Sequence, residues 1–100
     1  MTRDEIDRRL AELDGWRLEG NAIEKTFTFS GFPEAVEFLR RLVPGAEAAD
    51  HHPDVTIHYR RVTLSYSIHS EGRITEKDFE GATLADRLAV VTPGSRVQRS

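Results

Sequence analysis

The sequence predicts a single α+β domain in the order α-β-β-α-β-β-α, with a four-stranded antiparallel sheet and helices packed on one face. Three observations carry this expectation. Two Thr-x-x-acid sequences, Thr2 to Glu5 and Thr75 to Asp78, stand directly before apolar residues at helical spacing. Two pairs of segments alternate apolar and polar side chains across short turns. A chain of 100 residues has room for one core and therefore for one site.

Thr2 and Glu5 have the form of a capping box, and Ile6, Leu10 and Leu13 recur at helical spacing, so a first helix is expected to reach Asp14 and stop at Gly15. Trp16 and Leu18, then Ile23, Phe27 and Phe29, flank Gly20-Asn21, a pair suited to a tight hairpin turn. Pro33 suits the first turn of a second helix, with Val36, Leu39, Leu42 and Val43 as its buried stripe. Pro44 lacks an N–H and crowds the carbonyl of Arg40, which predicts an end or kink before residues 46–50 add another turn.

Period two returns at Asp54. It puts Val55, Ile57 and Tyr59 on one face of a third strand and, after a turn near Arg60-Arg61, Val62, Leu64, Tyr66 and Ile68 on one face of a fourth. Thr75 and Asp78 then open a third helix whose inward residues are Phe79, Ala82, Ala85, Leu88 and Ala89. The domain is expected over 1–92, with 93–100 as a frayed tail. The sequence holds no repeat, linker or low-complexity stretch.

Fourteen basic against 17 acidic residues give a net charge of -3, which fits a mixed, soluble surface and argues against nucleic-acid binding. Apolar runs are short and the first ten residues contain no apolar segment, so neither a membrane span nor a signal peptide is expected and the cytoplasm is the default location. With no cysteine there are no disulfides, thiolate nucleophiles or thiolate metal sites. Chemistry therefore falls to histidine, carboxylate, hydroxyl or backbone groups.

All four histidines, His51, His52, His58 and His69, lie within residues 51–69. Histidine exchanges protons near neutrality, so several around one pocket suggest acid/base work, although any one of them alone is adequately explained as a surface or capping residue. His58 alternates with Ile57 and Tyr59 and is expected on the polar face beside Thr56 and Arg60. Pro53 holds His52 extended, and neighbours in extended chain diverge, so at most one of His51 and His52 faces a substrate squarely. His69 shares a strand face with Thr63, Ser65 and Ser67. Asp78 is explained equally by helix capping and by orienting an imidazole, and Glu47 alone reads as a solvated helix carboxylate.

Other chemistries lack their patterns. No His-Glu-x-x-His or comparable pair suggests a metal, no Gly-x-Ser-x-Gly elbow supports a triad of Ser67, His69 and Asp78, and no glycine pattern would cradle phosphates.

Taken together, Glu47, His51-His52-Pro53, Tyr59, His69 and Asp78 at their spacings resemble the signature of the pterin-4a-carbinolamine dehydratases, and the order of helices and strands is similar to that family's. The resemblance implies dehydration of a 4a-hydroxytetrahydropterin, formed by aromatic amino-acid hydroxylases, to a quinonoid dihydropterin and water. It implies His51 as leading general acid/base, His69 as its counterpart, and His52 as a residue that binds and polarises the pterin. Asp78 would complete the histidine environment, with Glu47 and Tyr59 in support. Asp50, Pro53 and the segment Ser67, Ile68, His69 and Ser70 would line the pterin pocket.

No metal or redox cofactor is implied, the pterin being the substrate, and homodimers or homotetramers are usual. Animal members also serve as dimerisation cofactors of a homeodomain transcription factor, so a protein-interaction adaptor is the alternative; exposure of Val36 or Leu39 would favour it. Two positions depart from the pattern. Val55 stands two residues after Pro53, where many relatives carry an aromatic residue, and Pro44-Gly45 interrupts the helix leading to His51.

Overall fold

Thr2 and Thr75 each cap a helix as their spacing predicts, the hydroxyl accepting a backbone N–H while an acidic side chain at the third helical position reaches back. The structure, a computed structural model, describes residues 1–67 and 73–95. Its elements are α1 (Arg3–Ala11), β1 (Arg17–Glu19), β2 (Ala22–Thr28), α2 (Phe32–Ala49), β3 (Asp54–His58), β4 (Arg61–Tyr66) and α3 (Glu76–Val91). All strand pairs are antiparallel in the order β1-β2-β4-β3, with the helices on one face.

The first helix ends before Asp14 because its last turn tightens. The N–H of Glu12 reaches the carbonyls of Arg9 and Leu10, and Gly15 then takes φ 82° to turn the chain.

The second helix does not end at Pro44, and part of its expected buried stripe is exposed. It runs unbroken through Pro44, which lies with Arg40 on the solvent side, where water can take the carbonyl that proline leaves unbonded. Its buried stripe is Ala35, Phe38, Leu42 and Ala46, whereas Val36 and Val43 are 41% and 51% exposed. The small alanines let α2 approach closely, and Phe38 inserts beside Phe27 and Phe29 with ring centroids 4.9 and 5.1 Å away. Gly45 sits at the contact with α3, where an added Cβ would meet the flexible tip of Leu84.

Ile23 and Phe27 of β2 and Val62, Leu64 and Tyr66 of β4 form the covered face of the sheet, and Thr26 bonds Thr63 on the opposite, polar face at 2.8 Å. The third strand is an edge and also departs from expectation. Only Ile57 of its apolar row is partly covered; Val55 is exposed, and Tyr59 has left the strand for the turn, at φ 55°.

Trp16 packs against Phe27 and Tyr66, both at 6.0 Å, and its indole N–H donates to Asp86 of α3. Beyond α3, the N–H of Ser30 donates to the carbonyl of Gly94 at 2.8 Å and Ser95 bridges Phe29, so the chain stays packed through residue 95. Residues 96–100, most of the expected tail, lie outside the described residues. Among the described residues no helix is long and apolar enough to cross a membrane.

Candidate active site

The exit from α2 aims His51. Asp50 adopts the left-handed conformation at the helix end, φ 49° and ψ 44°, and the N–H of His51 returns to the carbonyl of Ala46 at 3.2 Å. The imidazole is thereby turned toward the start of α3. There Nε2 of His51 lies 2.6 Å from Oδ1 of Asp78, whose side chain is fully buried.

Oδ2 of the same carboxylate accepts the N–H of Thr75 at 3.0 Å. Capping and orientation are therefore not alternatives for Asp78: one oxygen closes the helix and the other holds the imidazole. Beside the pair, Tyr66 is tilted against the His51 ring, with centroids 5.7 Å apart. Burial, then the charge of Asp78, pushes the Tyr66 phenol well above its ordinary value and keeps it protonated.

This group forms one wall of a cavity of about 310 Å³ between α2 and α3, whose polar lining includes His51, Tyr66, Lys77 and Glu80. A volume of that size falls at the lower end for small-molecule sites. His52 points elsewhere, as extended neighbours must. Its Nε2 bonds Glu47 at the surface, and it lines a second, shallower cleft of about 230 Å³ with Pro53, Val55 and the outer side of α2.

The structure thus brings His51 to Asp78 and His52 to Glu47, and it separates the two pairs. Asp50 is exposed, Pro53 half-buried in the second cleft, and Ser67 half-buried just past β4. Tyr59 stands in the β3–β4 turn and His58 at the exposed end of β3. Ile68, His69 and Ser70 lie outside the described residues. Among the described residues no group of three histidines or carboxylates could hold a metal ion.

Sequence reasoning missed Tyr66, Lys77, Glu80 and Gly81 as cavity residues. Tyr66 reads as one more core residue on the β4 alternation. The available signal was the spacing of Lys77, Gly81 and Leu84, three and four apart, which puts them on one face of α3.

A small antiparallel α+β domain with a buried histidine–aspartate pair at a cavity wall is the class these features define. Residues 1–88 match the family described as pterin 4 alpha carbinolamine dehydratase, and the chain belongs to that family. A protein of Sulfolobus acidocaldarius, provisionally named pterin-4-alpha-carbinolamine dehydratase, is 49% identical over 88 residues, 88% of this chain and 97% of that one. A provisionally so-named protein of Mycobacteroides abscessus is 43% identical over 86 residues, 86% and 92% of the two chains. A crystal structure from Brucella melitensis, described as a transcriptional coactivator/pterin dehydratase, superposes with a TM-score of 0.83 at 34% identity, covering 88% of this chain and 96% of its own. A pterin dehydratase-like RuBisCO assembly factor of the alpha-carboxysome shares the fold alone, with a TM-score of 0.60 at 19% identity over 73% of this chain and 84% of its own.

Proposed function

We propose that this protein is a hydro-lyase that converts 4a-hydroxytetrahydropterins to quinonoid dihydropterins and water by histidine acid/base catalysis. One observation carries the reading: in a chain of this family, His51 is held 2.6 Å from a buried carboxylate at the wall of a cavity. The reaction breaks the C4a–O bond, with a proton delivered to the departing hydroxyl. N5 gives up its proton, and the electron pair left behind forms the C4a=N5 bond.

With Asp78 as a carboxylate, Nε2–H of His51 is the donor, and Nδ1 is the nitrogen left to exchange a proton. His69 acts as the counterpart acid or base. Asp50, Ser67, Ile68 and Ser70 line the pterin pocket beside His51, while His52, held by Glu47, and Pro53 face the second cleft and bind and polarise the ring from that side of α2. Tyr59 supports the site through the β3–β4 turn. The elimination moves no net electrons, so it calls for no redox cofactor, and this reading assigns the proton transfers to histidine rather than to a metal. In this reading the protein works in the cytoplasm as a homodimer or homotetramer, recycling pterin oxidised by an aromatic amino-acid hydroxylase, without nucleic acid or membrane.

The test is stopped-flow dehydration of chemically generated 4a-hydroxytetrahydropterin by the parent and by His51→Ala and His69→Ala. Each variant is expected to lose about 10²–10⁴-fold in turnover. A folded parent that gives no acceleration overturns the reading.

Exposure of Val36 and Val43 on α2 favours a second reading, a protein-interaction module on the same fold. It is separated from the first by Val36→Lys, outside both cavities, which would weaken a protein association while leaving dehydration intact.

A further inference from the structure

The inward row of β4 reads Val62, Leu64, Tyr66, and the third member adds a hydroxyl to an otherwise apolar series. Tyr66 is only 1% exposed, yet among the described residues its hydroxyl has no hydrogen-bond partner. A polar group buried in that way is costly unless something completes it. Among the described residues, no fully buried side-chain nitrogen or oxygen lacks a partner, so the phenol oxygen retains access through the cavity its ring lines.

The surroundings are shaped around that ring. A Cβ at position 81 would lie 2.5 Å from Cε1 and 2.8 Å from Cζ of Tyr66, so α3 carries a glycine, a poor helix former, in mid-helix where the phenol end passes. Trp16 and His51 hold the ring from two further directions, with centroids 6.0 and 5.7 Å away. The ring has little freedom to swing, and the same cavity is lined by His51.

We infer that the Tyr66 hydroxyl is a substrate-positioning donor, bonding the carbonyl oxygen that neighbours the reacting carbon of a heterocycle held in the cavity beside His51. The inference rests on the pterin-dehydratase reading of that cavity. A neutral phenol donates one hydrogen and suits a carbonyl acceptor. Its hydrogen bond forms equally in ground and transition states, so it acts on binding more than on turnover.

The chain has two tyrosines, Tyr59 and Tyr66, which makes the test direct. Protein labelled with carbon-13 at tyrosine Cζ is titrated with 6-methylpterin, with Tyr59→Phe assigning the signals. The Tyr66 signal is expected to move and that of exposed Tyr59 to stay. Tyr66→Phe is expected to raise KM, and Kd for 6-methylpterin, by about 3- to 10-fold with kcat within about 2-fold of the parent. A parent that turns over substrate while the Tyr66 signal stays fixed and the variant's KM is unchanged overturns this inference and leaves the dehydratase standing. A parent with neither turnover nor 6-methylpterin binding overturns the dehydratase reading, and this inference with it. The labelling experiment uses the parent's own Tyr66, so it decides the matter even if the phenylalanine variant folds poorly.

Discussion

Asp78 and His51 meet at 2.6 Å from positions 27 residues apart, and the carboxylate that fixes the imidazole is also the one that closes the first turn of α3. An asparagine in its place keeps an oxygen for the N–H of Thr75 but can present an amide donor to the ring, reversing the tautomer. Asp78→Asn is therefore expected to lower turnover by about 10²-fold or more. Stability should change by less than about 1 kcal/mol, because asparagine remains a good acceptor at a helix start. Paired urea titrations and stopped-flow rates check the separation; equal losses in both would contradict it.

Two glycines in helices make opposite predictions. At Gly45 an added methyl meets the flexible tip of Leu84, so Gly45→Ala should be within about 0.5 kcal/mol of the parent, or stabilising through helix propensity. At Gly81 the methyl meets the ring of Tyr66, wedged by its neighbours, and Gly81→Ala should cost about 1–3 kcal/mol. Adding Tyr66→Leu to Gly81→Ala should recover part of that loss, as a double-mutant cycle in urea would register.

Asp86 joins the first hairpin to α3, accepting the indole N–H of Trp16 at 3.0 Å and the ammonium of Lys25 at 2.9 Å. Both donors are largely buried, so Asp86→Ala strands them and should cost about 1–3 kcal/mol. Urea midpoints, with near-ultraviolet dichroism of the single tryptophan, are the measurement.

Glu37 receives hydrogen bonds from Arg40 and Arg41, which hold its carboxyl down at about 2 against an ordinary 4.5. A carboxylate depressed on folding adds stability that is complete above about pH 4.5 and is lost as pH falls through 2. Glu37→Gln should flatten the acid limb of a stability curve in that window, by a small amount that shrinks further with added salt because the pair faces solvent.

The capping boxes, both hairpins and the inward row of α3 were legible in the sequence because each is set by local spacing, period two along the strands and three or four residues along the helices. Of the α2 stripe, Leu42 and Leu39 were read correctly, while Val36 and Val43 were preferred because they look more apolar than the Ala35 and Ala46 that close approach requires. Pro44 was read as an end or kink of α2; the helix does not end there, and the solvent exposure that makes this possible is a tertiary property. The divergence of His51 and His52 followed from extended geometry and Pro53. The meeting of His51 with Asp78 depends on how α2 and α3 pack, and the cavity role of Tyr66 on a glycine fifteen residues further along, so no local pattern announced either.

The bridge from Phe29 to Ser95 separates two boundaries that are easily confused. The family match covers residues 1–88, but packing continues through the segment that returns to β2's end. A chain trimmed after residue 88 would lose the last turn of α3 and open Phe29 to water. It should melt earlier and stick to its neighbours, so the boundary that matters for a soluble product is set by the contacts of residues 89–95.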